Sequence, residues 1–246
     1  DEAATRRFFS LSDRVILYGS DNTIEALRPL IPPQTKVTIY GPKVSLGIIS
    51  REKLSRKVAQ AAAWDVTLYD QRGCLSPHVY YVEMPDGVKS RSPIFIAEAM
   101  AEALEAIPLP AGPTAPDVAS AIWQLREAVP LKGGRVFSSQ KGVEWTVLYD
   151  PDPTFTVSPL SRTVFVKPIP DILEIPCYLE PLRSTIQAVG IAVPPRRATA
   201  LMDLLGLLEV SRICPMGQMQ KPPLTWHHEG RFRILDLLRF VDWEKT

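Results

Sequence analysis

One cysteine stands out in this 246-residue chain because its neighbours suit a nucleophile. Cys74 lies in the segment Asp70-Gln71-Arg72-Gly73-Cys74-Leu75-Ser76-Pro77-His78, between two apolar runs. A thiol acts as its thiolate and needs exposure together with a nearby cation or backbone dipole. Gly73 and Ser76-Pro77 are the small and rigid neighbours that a tight, exposing turn requires, and Arg72 and His78 are the local cations. The competing reading is a buried, inert thiol, the ordinary fate of an unbridged cysteine. Cys177 and Cys214 sit beside Pro176 and Pro215 in apolar surroundings and read as structural.

A second polar cluster is Trp226-His227-His228-Glu229-Gly230-Arg231. An imidazole titrates near neutrality, so His227 and His228, with Glu229 beside them, are candidates for acid–base work or substrate contact. Adjacent histidines in extended chain point in different directions, which is poor geometry for one metal ion. The three cysteines are far apart with no C-x-x-C, so no metal site is expected. A structural loop remains the alternative for the histidines. Arg196 and Arg197, after Pro194-Pro195, read as a helix start.

The elements that position these groups alternate, which argues an α/β class. Strands are expected at Arg14–Tyr18, Val37–Tyr40, Val66–Tyr69, Val79–Glu83, Arg135–Ser138, Glu144–Tyr149, Thr163–Lys167 and Thr185–Val193. Helices are expected at Asn22–Leu30, Arg51–Ala63, Ile94–Ile107, Asp117–Val129, Arg196–Leu207 and, amphipathic and short, Ile234–Phe240. A net charge of +1 with scattered basic residues argues against nucleic acid as a partner. No apolar run reaches the roughly 18–20 residues of a membrane span. Sparse, odd-numbered cysteines fit a reducing compartment, so a cytoplasmic protein is expected. The sequence leaves the oligomeric state open, a homo-oligomer included.

The segment DVTLYDQRGCLSPHVYYVE (Asp65–Glu83) resembles the cysteine loop of the acyl-CoA reductase family related to the reductase of bacterial bioluminescence, LuxC-like. RVILYGSDNTIEALR and KVTIYGPKVSLGIIS precede it in the order the family has them. RTVFVKPIPDI, SRICPMGQMQKPPLTWHHEGR and LLRFVDWE follow it. The resemblance covers nearly the whole chain.

It implies an aldehyde dehydrogenase-like fold, a Rossmann-like catalytic domain with part of a cofactor-binding domain. It also implies an NADPH-dependent oxidoreductase that takes an acyl group from CoA or from an acyl-carrying protein onto Cys74. The product is a long-chain aldehyde, formed through a thioester intermediate. Gly19, Ser20, Asp21 and Thr23 fall where that superfamily leads a strand into a helix beside the dinucleotide phosphates, and free helix N–H groups favour such an anion. Read by themselves, the same residues are an ordinary helix cap.

Gly41-Pro42-Lys43 falls where many aldehyde dehydrogenases have Gly-Gly-Lys. Two residues before Gly41, where many of them carry a water-activating glutamate, this chain has Ile39. The Trp-His-acidic-Gly signature is expected to approach the cysteine loop. The implied division is 1–40 for the cofactor side, 41–215 for the cysteine-bearing domain and 216–246 for a tail returning to the cofactor side.

Family members are expected to be about twice as long, which makes this chain a candidate C-terminal half. No G-x-G-x-x-G is present. Two other readings therefore stay open: a non-catalytic binding module of the same fold, and a cysteine acyltransferase or thioesterase without hydride transfer.

Overall fold

The computed structural model describes residues 1–87 and 91–245. The chain divides into two units, Asp1–Lys43 with Thr225–Thr246, and Val44–Leu224.

In the first unit, helix α1 (Glu2–Ser10) leads to strand β1 (Arg14–Tyr18), helix α2 (Asp21–Leu27) and strand β2 (Lys36–Tyr40). β1 and β2 pair in parallel, with Arg14 opposite Lys36 and Tyr18 opposite Tyr40. Phe9, Val15 and Leu17 form its small core, with Leu27, Leu30 and Ile31 against them. Asp1 caps α1 and Ser20 caps α2, each accepting a backbone N–H that the helix start would otherwise leave unpaired. The expected C-terminal helix over Ile234–Phe240 is absent. Only Leu235–Leu237 form a 3-10 turn, and Ile234, Leu237, Leu238 and Phe240 are exposed. An amphipathic pattern makes a helix by burying its apolar face, and here that face is not buried.

The second unit is built on strands β3 (Val44–Ile49), β4 (Pro77–Glu83), β5 (Arg135–Ser138), β6 (Thr146–Tyr149), β7 (Thr163–Ile169), β8 (Ile186–Ala192) and β9 (Ile213–Pro215). They form one sheet in the order β5-β6-β7-β4-β3-β8-β9, parallel except for the β5–β6 pair. Helices α3 (Arg56–Thr67), α4 (Pro93–Ala106), α5 (Pro116–Leu131), α6 (Ile175–Leu179) and α7 (Pro195–Leu207) connect the strands. One face of the sheet packs with Ala59, Ala62, Val66, Ile96 and Met100 of α3 and α4. The other packs with Val129, Ile175, Leu179, Leu201 and Leu205. All seven residues of β4 are buried, as expected for a parallel strand covered on both sides.

Two departures from the sequence expectation matter for the site. The Val66–Tyr69 run is not a strand. α3 continues through Val66 to Thr67, whose hydroxyl donates back to the Ala63 carbonyl at 2.8 Å. A four-residue apolar run cannot distinguish strand from buried helix, and packing of α3 on α4 decides for helix. The sequence reading also left out β3, an interior strand that pairs with both β4 and β8. Gly47 in β3 lies flat against the Tyr80 ring, where any Cβ would collide with it. Among the described residues, no helix is long and apolar enough to cross a membrane.

Candidate functional site

Cys74 sits at the amino end of the sheet, just before β4, and is exposed. Its turn is closed by Ser76 N–H donating to the Gly73 carbonyl at 2.9 Å. Gly73 packs near Ser76 and Gln220, where a Cβ would lie 3.4 Å from Gln220 Oε1. The loop is anchored on three sides.

From β3, the buried Ser45 hydroxyl donates to the Cys74 carbonyl at 2.7 Å and accepts from Ala188 N–H of β8 at 3.1 Å. From the segment after β9, Gln220 Nε2 donates to Ser76 Oγ at 2.7 Å and, more weakly, to the Asp65 carbonyl at 3.3 Å. The Asp65 carboxylate accepts from Gly217 N–H at 2.6 Å and Met219 N–H at 3.0 Å. The Pro215–Gln220 stretch thus buttresses the nucleophile loop.

The third anchor is the left-handed turn before Cys74. Tyr69, Asp70 and Gln71 have φ of 57°, 50° and 61°. Non-glycine residues pay about 1–2 kcal/mol each for this conformation, so neighbouring contacts must hold it. Gln71 is buried and pairs fully: Nε2 donates to the carbonyls of Pro77 at 2.8 Å and Thr163 at 2.7 Å, and Oε1 accepts from Thr163 N–H at 2.7 Å. A second left-handed run, Leu160-Ser161-Arg162, is coupled to it. Arg162 bonds Asp70 Oδ1 through Nε at 2.8 Å and donates to the Leu109 and Pro110 carbonyls. The other Asp70 oxygen accepts from Gly112 N–H at 3.1 Å.

The two local cations expected for a thiolate fare differently. Arg72 is exposed, and its Nη2 donates to the Pro113 carbonyl at 2.5 Å. His78 is a correction: it is buried inside β4, with Ser158 N–H donating to its Nδ1 at 3.1 Å. Burial pushes its pKa down to about 4. A neutral imidazole with an occupied Nδ1 supplies no cation at neutral pH. Cys214 is buried, and burial pushes its thiol up to about 11. Cys177 is exposed, against the apolar setting expected for it.

The remaining candidates lie in the first unit. Gly19 and Ser20 form the turn from β1 into α2, and Ser20 Oγ accepts from Thr23 N–H at 3.3 Å and pairs with Thr23 Oγ1 at 2.9 Å. A Cβ on Gly19 would lie 3.1 Å from the Thr23 side chain. Asp21 opens α2. At the carboxyl ends of the same two strands, Tyr18 and Tyr40 stack at 4.6 Å, and His228 stacks on Tyr40 at 4.7 Å. Trp226 tilts against His228 at 4.9 Å. Burial, with Arg233 and Lys43 nearby, lowers the His228 pKa. His227 is exposed and meets Phe232 edge-on at 4.5 Å. Glu229, in a left-handed conformation, pairs with Lys43 at 3.8 Å.

Sequence reading missed Ser45, Asp65, Gln71 and Gln220. Gln220 lies in the PMGQMQ stretch, within the segment that resembles the family and just ahead of its histidines.

Residues 1–240 match the family model described as acyl-CoA reductase (LuxC). The chain is similar to the long-chain acyl-protein thioester reductase of Aliivibrio fischeri, 29% identical over all of this chain and 50% of that protein. It is 25% identical to long-chain acyl-protein thioester reductase 2 of Photobacterium leiognathi, again over 100% of this chain and 50% of that one. It therefore spans about half the length of the curated relatives it matches. Among solved structures, the aldehyde dehydrogenase KauB from Pseudomonas aeruginosa aligns with a TM-score of 0.67 at 14% identity, over 92% of this chain and 48% of that one. A salicylaldehyde dehydrogenase from Pseudomonas putida G7 aligns at 0.64 and 14%, over 92% and 49%. These likenesses establish an aldehyde dehydrogenase fold.

Proposed function

This chain belongs to the acyl-CoA reductase (LuxC) family, and from that premise we propose that Cys74 takes up a long-chain acyl group from a CoA or protein thioester for reduction to the aldehyde. The observation that carries this reading is an exposed cysteine on a turn held by hydrogen bonds from three directions. Preorganisation of that kind suits a nucleophile.

The thiolate sulfur of Cys74 attacks the thioester carbonyl carbon and a tetrahedral oxyanion forms. The bond from that carbon to the donor sulfur breaks, and the donor leaves as a thiolate. The acyl group is then held as a thioester on Cys74. The Cys74 backbone N–H is the natural oxyanion donor. Ile39 stands at the sequence position where many aldehyde dehydrogenases carry a water-activating glutamate, which favours transfer and reduction of the acyl group over its loss to water. A reducing cytoplasm keeps the thiol competent.

NADPH, when bound, would supply the hydride for the reduction. Gly19, Ser20 and Thr23 fit an anionic phosphate: a side-chain-free turn, an exposed hydroxyl pair and a helix start at the carboxyl end of β1. Asp21 fits a phosphate poorly, because like charges repel, and suits a sugar hydroxyl. Of the acid–base candidates, His228 has its pKa lowered by burial, which favours the proton-accepting form, whereas His78 is turned into the core.

Incubation with radiolabelled long-chain acyl-CoA tests the reading. Wild type is expected to carry alkali-labile label, and Cys74→Ser none. Label released as aldehyde on adding NADPH supports the reductase. Label that passes only to an added thiol replaces it with an acyltransferase. Absence of label on wild type sinks the proposal.

A further inference from the structure

We infer that Gln220 is a positioning residue for acyl transfer, whose carboxamide clamps the two ends of the four-residue turn that carries Cys74. This rests on the acyl-transfer reading above and adds the side chain that sets the direction from which Cys74 meets the acyl carbonyl.

Ser76 N–H donates to the Gly73 carbonyl, so Gly73 and Ser76 end a β-turn in which Cys74 and Leu75 are the central residues. Gln220 reaches both ends. Its Nε2 donates to Ser76 Oγ at 2.7 Å, and its Oε1 lies against Gly73. The second Nε2 hydrogen is directed to the Asp65 carbonyl of α3 at 3.3 Å. A carboxamide nitrogen has two hydrogens to give, and both are engaged, which fixes the plane of the amide beside the turn.

The segment that delivers Gln220 is itself fixed to the sheet. Gly47 of β3 and Gly190 of β8 are register partners and leave a notch in the sheet face. Met216 and Met219 fill it: a Cβ on Gly190 would come within 2.7 Å of Met219 Sδ, and one on Gly47 within 3.3 Å of Met216 Cε. Between the methionines, Gly217 has φ of 84° and packs on Ala61 of α3. The Asp65 carboxylate holds Gly217 N–H and Met219 N–H, and the Arg212 guanidinium donates to the Met219 and Gln218 carbonyls at 2.6 and 2.8 Å. The methionines, Asp65 and Arg212 account for the cohesion of this loop. The bond from Gln220 to Ser76 carries that rigidity to the nucleophile turn, as positioning of a reacting group requires.

The test is single-turnover acylation of the full chain by palmitoyl-CoA, with iodoacetamide alkylation and hydrogen exchange followed on the same samples. Gln220→Met keeps the length of a half-buried side chain and removes its amide, and Ser76→Ala removes the acceptor. Each is expected to lower the maximal acylation rate about tenfold, since misplacing a reacting group by about 1 Å costs up to about 100-fold. The palmitoyl-CoA concentration giving half the maximal rate and the pH midpoint of alkylation should stay at their wild-type values. The double variant should lose no more than either single change, because two groups that act through one bond do not add. A wild-type maximal rate in Gln220→Met, a loss confined to half-saturation, a shifted alkylation midpoint or a multiplied loss in the double variant overturns the inference. Hydrogen exchange across residues 74–76 needs no acyl donor and should accelerate in Gln220→Met relative to the amides of β8. Unchanged exchange there sinks the clamp, whereas a wild-type chain that takes no palmitoyl group sinks the acyl-transfer reading instead.

Discussion

The two ends of the seven-stranded sheet are held by different chemistry. At the amino end, around Cys74, the bonds come mainly from neutral groups: the Ser45 hydroxyl, the Gln71 and Gln220 amides, and backbone N–H groups. At the carboxyl end, Glu83 accepts from Arg51 at 2.9 Å, from both terminal nitrogens of Arg197 at 2.7 and 2.6 Å, and from Ile172 N–H at 3.1 Å. Asp171 and Glu52 pair with the same Arg197. Burial alone would raise the Glu83 pKa, but hydrogen bonds from Arg197 and Arg51 outweigh it and hold the carboxyl at about 2. The ionic end is locked across the working pH range, and fixed charges there are far from the chemistry. The Cys74 end presents oriented dipoles around the reacting loop, and its Asp70–Arg162 ion pair braces the turn that precedes that loop.

The sharpest way to break that contrast is Glu83→Gln. It removes the charge that two arginines share, on a Glu83 side chain that has no exposed surface. Breaking a buried ion pair on one side costs about 3–5 kcal/mol. Chemical denaturation should show a loss of that order, while iodoacetamide alkylation of Cys74 in the folded variant stays at the wild-type rate. A large change in alkylation would mean that the two ends are coupled and the contrast is false.

At the neutral end, Gln71→Ala is expected to cost less, about 2–3 kcal/mol, because it leaves buried donors and acceptors at Pro77 and Thr163 unpaired. It should also loosen the left-handed turn. Hydrogen exchange at Arg72 to Ser76 is expected to accelerate relative to the amides of β8. Unchanged protection there would show that the Asp70–Arg162 pair holds the turn by itself.

How far the sequence could lead is visible in the same two regions. The loop around Cys74 is legible because glycine and proline are local signals, read over a few residues. Ser45 is not, since its partners lie 29 and 143 residues away, and a serine in an apolar run carries no mark of what it will bond. The same holds for Asp70 and Arg162, 92 positions apart. His78 misleads for a related reason: its type suggests a cation, and only burial in β4 makes it neutral. Val66–Tyr69 reads as strand until α4 packs on α3, and Ile234–Phe240 reads as helix although its apolar face stays exposed. The α/β alternation survives these errors because it depends on many elements at once.

The smallest effect, and the one that most sharpens the contrast, is in pH. Two groups at the neutral end have shifts of opposite consequence. Burial pushes Asp65 up to about 7, against the N–H bonds from Gly217 and Met219, so the folded chain keeps this proton where the unfolded chain has lost it above about pH 4. Its contribution to stability therefore falls as pH rises from about 4 to about 7. His78 is neutral in the fold above about pH 4, while in the unfolded chain it stays protonated up to about 6.5. Its contribution rises with pH over about 4 to 6.5. The two slopes oppose each other, and Glu83, already ionised above about pH 2 in the fold, contributes little change above about pH 5. Denaturant midpoints of the wild type should thus vary little between about pH 5 and 6.5. His78→Asn should uncover a fall in stability with rising pH, and Asp65→Asn a rise, each up to about 1.4 kcal/mol per pH unit. Parallel curves for the two variants would show that neither group titrates as its burial dictates, and the distinction between a locked end and a titratable end of the sheet would go with them.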